Sequence, residues 1–392
     1  MHNHRFFFIL LLLFALLYEF SMPLTAAEPE NLHAAAAVLM DAESGRVLFE
    51  KNGTEKLPMA STTKIMTLLI ALENADPDGI VTVSSRAASM PEVKLHIREG
   101  ERYRLLDLLY SLILESHNDT AVAIAEHIGG SVEQFASMMN QKARDLGCFD
   151  TYFITPNGLD AQDEHGIHST TAKDLARIMR FCIRNEEFLA ITRTASHTFS
   201  DLDGTRNFTV QNKNAFLNMM DGVLSGKTGF TGNAGYCYVC AMESGGKHLI
   251  SVVLACGWPG NRTWKWQDTT KLMNYGLSDF EIKTFGDEIP VLAPVPVRNG
   301  RSSKTALSVT AAPKELLCRK EDTFSMDILI PDTLTAPVTA GEMVGTVVYY
   351  LNGSILDLFP ITACEDIPAI DFRFIFRQVT EKWLPGTPPE SH

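Results

Sequence analysis

A serine and a lysine three positions apart, in Ser61-Thr62-Thr63-Lys64, open an apolar run over residues 65–72. On a helix this spacing stacks both side chains on one face, with Cβ atoms about 5 to 6 Å apart, so the amine reaches the hydroxyl oxygen. An alcohol attacks an amide only if a neighbouring base takes its proton as the bond forms. Lysine is such a base when neutral, a state that burial or a second cation favours by lowering its pKa. Ile65, Leu68 and Leu69 supply the burial. A helix starting near Ser61 leaves that residue's own N–H pointing outward, a donor for an oxyanion. Ser-x-x-Lys also recurs by chance, so partners elsewhere must decide.

Two such partners follow in order, Ser116-His117-Asn118 and Lys227-Thr228-Gly229. Each alone has a bland reading, a capped helix break and an exposed strand end. Together with Ser-x-x-Lys they form the three-part signature of penicillin-binding proteins and class A β-lactamases. Longer stretches extend the match: 57–67 around Ser61, 116–121, Thr155-Pro-Asn-Gly-Leu-Asp160, and 227–237. These resemble the low-molecular-mass penicillin-binding proteins, the serine-type D-alanyl-D-alanine carboxypeptidases, closely over residues 33–276 and more loosely to 364.

The resemblance implies an α/β fold of the β-lactamase/DD-peptidase type, in which a five-stranded antiparallel sheet with helices carries an inserted helical lobe. A small all-β domain follows. It also implies removal of the terminal D-alanine from peptidoglycan stem peptides through an acyl-enzyme, with covalent inhibition by penicillins. Ser61 is then the nucleophile, Lys64 its base, and Ser116 the proton relay to the leaving amine. Asn118 bonds the substrate backbone, and Lys227 with Thr228 binds the terminal carboxylate. Gly229 lets its strand pass close, Phe230 joins Ser61 in offering oxyanion N–H groups, and Lys265 is a further carboxylate partner. His117 and Thr120 stand where the family has small residues, which would narrow substrate access.

A class A β-lactamase shares the signature but needs a deacylating Glu-x-x-Leu-Asn loop. The one near match, residues 186–190, lacks the asparagine and lies too far downstream. A transpeptidase stays open, since an amine and water compete for the same acyl-enzyme. An idle penicillin sensor would have no reason to keep every proton-handling residue.

The elements that must position these groups can be read from pattern. Residues 34–40 and 46–49 read as a hairpin, followed by the Ser61 helix ending at Asn74. Further helices are expected over 105–114, 121–128, 132–146 (with Ser131 and Gln134 as a capping box) and 172–185. Strands follow over 222–229, 236–243 and 248–256, then a helix from Thr263 closed by Gly276. Beyond it, proline-bounded short strands, including 306–309, 324–330 and 345–350, define the small β domain at 285–364, leaving 28–276 for catalysis.

With 392 residues, 45% hydrophobic and 21% charged, the chain fills sizeable cores. A net charge of −13 without a basic cluster excludes nucleic-acid binding. Residues 1–27 carry His2, His4 and Arg5, an apolar stretch over 6–17 and small residues near Ala27, the layout of a cleaved secretory signal. Seven unpaired-looking cysteines make no disulfide framework, and scattered histidines make no metal site, so no metal or cofactor is expected. In the tail, 365–392, Phe372, Phe376, Val379 and Trp383 share a helical face with Arg373, Arg377 and Lys382 elsewhere on the wheel. That pattern suits a peripheral helix on the outer face of the cytoplasmic membrane, or one packed on the β domain.

Overall fold

The computed structural model describes residues 29–288 and 290–383. The expected signal segment, 1–27, lies outside them. The chain divides into two compact units, separated after Phe280.

The first unit is built on a five-stranded antiparallel sheet. Its strands are β1 (Ala36–Asp41), β2 (Val47–Lys51), β3 (Val223–Thr231), β4 (Gly235–Ser244) and β5 (Lys247–Leu254), in the order β2-β1-β5-β4-β3. All six residues of β1 are buried, as a strand covered on both faces requires. Strand β3 forms one edge of the sheet.

Between β2 and β3 the chain builds the helical layer. A short 3-10 turn, Ala60–Thr63, leads into α1 (Lys64–Asn74). Then come α2 (Leu105–Leu114), α3 (Asn118–Gly129), α4 (Val132–Asp145), α5 (Ala172–Cys182) and α6 (Glu186–Arg193). Every residue of α1 from Lys64 to Ala71 is buried, because α1 packs against all five other helices of the layer. A helix apolar all round belongs in a core, and this one carries the lysine inward.

Local chemistry explains the boundaries. The Ser131 hydroxyl accepts the Gln134 N–H at 3.1 Å, and the Thr171 hydroxyl accepts the Asp174 N–H, also at 3.1 Å, each capping a helix start. The helix expected over 172–185 ends at Cys182, and a further helix that the pattern did not show follows it: Asn185 Oδ1 accepts the N–H groups of Glu187 and Phe188, starting α6, which buries Phe188 and Ile191. A hairpin of Ser196–Ser200 and Asn207–Gln211 also escaped the pattern, its strands showing mostly polar residues.

Helix α7 (Trp264–Asp279) does not stop at Gly276 but runs through it. A Cβ there would lie 2.7 Å from Leu249 Cδ1 and 3.0 Å from Leu39 Cδ2, so glycine lets the helix settle onto β1 and β5 rather than ending it. The cysteines of the described residues are all free, and Cys237 and Cys240 are buried within β4.

The second unit is all-β up to its last helix. A four-stranded antiparallel sheet orders Leu307–Val309, Ser354–Ala363, Met343–Leu351 and Phe324–Leu329 around Val347, Tyr349, Phe359 and Ile361. The chain then forms α8 (Phe372–Trp383), which has no buried residue.

Gly276→Val should test the helix–sheet contact. Overpacking costs about 1 to 3 kcal/mol, so thermal unfolding of the full chain is expected several degrees lower. An unchanged melting temperature would mean that the contact has slack.

Candidate active site

Ser61 sits in the 3-10 turn just ahead of α1, so the Ser-x-x-Lys pair straddles the turn and the helix rather than lying on one regular helix. The turn is tightened by its own threonines: Thr62 Oγ1 donates to the Met59 carbonyl at 2.7 Å and Thr63 Oγ1 to the Ala60 carbonyl at 2.8 Å. Lys64 Nζ lies 3.0 Å from Ser61 Oγ, 2.9 Å from Asn118 Oδ1 and 2.7 Å from the Asn157 carbonyl. A neutral amine has two N–H donors and one lone pair. The two acceptor-only oxygens take the donors, which leaves the lone pair for the Ser61 proton.

Lys64 is fully buried, and its pKa is held well below the ordinary value, by burial first and then by the Lys227 charge, with Asp119 opposing. Asp119, also fully buried, accepts the N–H groups of Leu95, Ile97 and Thr120, so its charge is spent on fixing the segment before α2 and the start of α3.

Ser116 has a φ of +68°, a left-handed backbone that costs a non-glycine residue roughly 1 to 3 kcal/mol. That bend separates α2 from α3 and delivers the Ser116 hydroxyl to Lys227, whose Nζ donates to it at 3.0 Å. Lys227 Nζ also donates to the Thr228 carbonyl at 2.8 Å. Burial brings the Lys227 pKa down to about 7. Ser61, Lys64 and Asn118 thus form one set of hydrogen bonds, and Ser116 with Lys227 a second beside it.

Two glycines allow the surrounding backbones to approach. A Cβ on Gly229 would lie 2.9 Å from Ser61 N and 3.0 Å from the Met59 carbonyl oxygen, so β3 runs directly against the turn. A Cβ on Gly158 would lie 2.0 Å from the Ala60 carbonyl oxygen, and Gly158 has a φ of +83°. The loop bearing the Asn157 carbonyl is pressed onto the turn in the same way.

The remaining expected residues are placed as follows. Thr228 is half-buried and Phe230 is 41% exposed on the β3 edge, its ring against Tyr236 with centroids 4.6 Å apart. Lys265 Nζ lies 4.6 Å from the centre of the Tyr236 ring and donates to the Arg262 carbonyl at 2.5 Å. Burial and Arg262 lower its pKa to about 8. The expectation that His117 and Thr120 narrow the entrance is not met. Both are buried, His117 Nδ1 pairing with Ser111 Oγ at 2.8 Å and Thr120 Oγ1 donating to the His117 carbonyl.

The sequence missed the Asn157 carbonyl, Asp119 and His168. The turn residues of 155–160 mark a loop, but a backbone carbonyl's aim leaves no trace in residue type. Among the described residues no cluster of three or more metal-ligating side chains occurs. Glu186 and Glu187 lie in the exposed first turn of α6.

Gly158→Ala should push the Ala60–Ser61 backbone away from its present position. A misplacement of about 1 Å costs on the order of 100-fold in rate, so the covalent labelling of Ser61 by penicillin that the resemblance implies is expected to slow by that order, measured on the folded fraction. Labelling at the wild-type rate would show that the loop yields instead.

A family model described as D-alanyl-D-alanine carboxypeptidase matches residues 23–257, and one for the penicillin-binding protein 5 C-terminal domain matches 286–369. The chain is 31% identical over 358 residues to the D-alanyl-D-alanine carboxypeptidase DacF of Bacillus subtilis, covering 89% of this chain and 90% of that one. It is 32% identical over 356 residues to DacC of Escherichia coli, covering 87% and 86%. Penicillin binding protein 5 from Haemophilus influenzae superposes with a TM-score of 0.69 at 27% identity, over 88% of this chain and all of that one (100%). On the match of its first unit, its length-wide similarity to these relatives and its fold, the chain belongs to the D-alanyl-D-alanine carboxypeptidase family of serine peptidases.

Proposed function

We propose that this chain performs the family's reaction, hydrolysis of the terminal D-Ala-D-Ala bond of peptidoglycan stem peptides, with Ser61 as the acylated nucleophile. The observation that carries this reading is the buried Lys64 amine, 3.0 Å from Ser61 Oγ with its other two contacts accepting N–H.

In the forward step the Ser61 oxygen attacks the carbonyl carbon of the penultimate D-alanine while its proton passes to Lys64 Nζ. The N–H groups of Ser61 and Phe230 stabilise the oxyanion. The proton returns through Ser116 to the departing D-alanine nitrogen as the C–N bond breaks. Water then attacks the ester carbonyl, giving a proton to Lys64, which returns it to Ser61 Oγ as the acyl C–O bond breaks and the acid leaves. The Lys227 ammonium, with the Thr228 hydroxyl, binds the terminal carboxylate, while Asn118 bonds the peptide amide and holds Lys64. Lys265, whose Nζ donates to the Arg262 carbonyl and lies over the Tyr236 ring, is a further partner for that carboxylate. A penicillin enters as a substrate mimic whose strained amide acylates Ser61.

Ser61→Ala is expected to abolish both peptide turnover and covalent penicillin labelling while leaving the melting temperature near wild type. An adduct on another serine, located by intact and peptide mass, would overturn the assignment.

The same reading places the catalytic unit outside the cell and at the membrane surface. Residues 1–27 would export the chain. Helix α8 supports the second part: Phe372, Phe376, Val379 and Trp383 are 79%, 59%, 49% and 82% exposed, with no buried residue along the helix. Burial of these four side chains is worth roughly 1.5 to 3 kcal/mol each, before the cost of ordering the tail. The basic residues add about 1 kcal/mol apiece near anionic lipid, and Asp371 and Glu381 subtract. The sum gives reversible binding rather than insertion. The mature chain ending at residue 369 should stay in solution with anionic vesicles that sediment the full-length protein, with soluble-peptide turnover unchanged. Equal sedimentation of the two would remove α8 as the anchor.

A further inference from the structure

His168 lies at the rear of the site, 3% exposed, and bonds two segments at once. Its Nδ1 accepts the backbone N–H of Ile154 at 2.9 Å and of Thr155 at 3.3 Å. A ring nitrogen that accepts carries no proton, so in the neutral imidazole the proton is on Nε2. Nε2 lies 2.8 Å from Thr63 Oγ1, whose own proton goes to the Ala60 carbonyl, leaving a lone pair to receive it. The tautomer and both hydrogen-bond directions are therefore fixed by the neighbours. Burial lowers the pKa of His168 to about 4, in keeping with a ring that stays neutral.

The two segments joined are the ones that set the base. Residues 154–159 carry the Asn157 carbonyl, which accepts from Lys64 at 2.7 Å and lies 3.3 Å from Ser61 Oγ. Thr63 immediately precedes Lys64 in the turn that carries Ser61. The loop also touches helix α1 through Thr67 Oγ1, which donates to the Pro156 carbonyl at 2.6 Å. His168 alone among these contacts grips the loop by two N–H groups and the turn by a hydroxyl with a single rigid ring.

We propose that His168 is a positioning residue for the Ser61–Lys64 pair, a neutral ring that ties the Asn157 loop to the catalytic turn and so aims the lone pair of Lys64 at Ser61. It touches neither substrate nor the reacting atoms. The inference rests on the reading of Ser61 as nucleophile and Lys64 as base. A histidine that merely fills the core would lower stability when replaced but would leave the folded enzyme's chemistry alone.

The test uses the mature full-length chain and labelled penicillin, with the folded fraction counted by active-site titration. Thr63→Val removes the hydroxyl with little change in volume, Thr63→Ser keeps it, and His168→Gln keeps a donor near Nε2 but loses the fit to the Ile154 and Thr155 N–H groups. Per folded molecule, acylation by Thr63→Val and by His168→Gln is expected to slow about tenfold or more, with the pre-covalent dissociation constant little changed. Peptide turnover should lose kcat with KM nearly constant. Thr63→Ser should recover most of the rate, and the double variant Thr63→Val/His168→Gln should be about as slow as the slower single one, as coupled residues are. Wild-type acylation rates per folded molecule in both single variants, fully multiplicative losses in the double variant, or a Thr63→Ser as slow as Thr63→Val would overturn the proposal. If His168→Gln does not fold, the Thr63 pair alone decides: equal rates for Val and Ser reject the tie. Labelling that persists in Ser61→Ala would instead reject the underlying catalytic reading, so the two failures are distinguishable.

Discussion

A lysine amine with no solvent exposure is the constraint on which the catalytic unit depends. An isolated ammonium is costly to bury without compensation, so burial favours the neutral amine and lowers the Lys64 pKa. A neutral amine still needs partners for its N–H groups, and the protein provides two oxygens that can only accept, Asn118 Oδ1 and the Asn157 carbonyl. The third direction is left for Ser61. Burial thus fixes the charge, and the two acceptors fix the aim. The apolar helix α1 is the means of burial, since it is enclosed by the rest of the helical layer.

Meeting those demands forces backbones closer than side chains normally allow. Ala60 and Ser116 adopt φ values of +49° and +68°, and Gly158 and Gly229 stand where a Cβ would strike the turn. These departures fall around one small volume, where hydrogen bonds from Thr62, Thr63, Lys227 and Asp119 over-determine the local geometry. Strain of this kind persists only where its surroundings hold it.

Much of this was legible in the chain because it is written in side-chain chemistry and periodicity. The Ser61, Ser116 and Lys227 stretches carry their reactive groups in fixed local spacing, and the strands and longer helices show clear apolar repeats. The less visible parts have a common cause. Asn157 contributes a backbone oxygen, whose aim depends on the fold around Pro156 and Gly158 rather than on its own side chain. His168 reads as one of several scattered histidines until the fold brings Ile154, Thr155 and Thr63 around it. Gly276 reads as a stop because glycine ends many helices, yet here it answers to Leu39 and Leu249 across the sheet. His117 reads as an obstruction because sequence position beside Ser116 says nothing of direction. Its ring turns back to Ser111.

The two lysines of the site show why the arrangement needs a pair rather than one. Both are buried, and Ser116 accepts from Lys227 while Asn118, two residues on, accepts from Lys64. Burial lowers the pKa of Lys227 to about 7 and holds that of Lys64 well below its ordinary value, with the Lys227 charge pushing Lys64 further the same way. In the proposed reaction an arriving carboxylate favours the charged form of Lys227, which lies on strand β3, while Lys64 lies in the helical core. The proposed reaction asks for a charged Lys227 at the substrate carboxylate and a neutral Lys64 beside Ser61, and the two amines have different surroundings, one on a strand and one at the start of a buried helix.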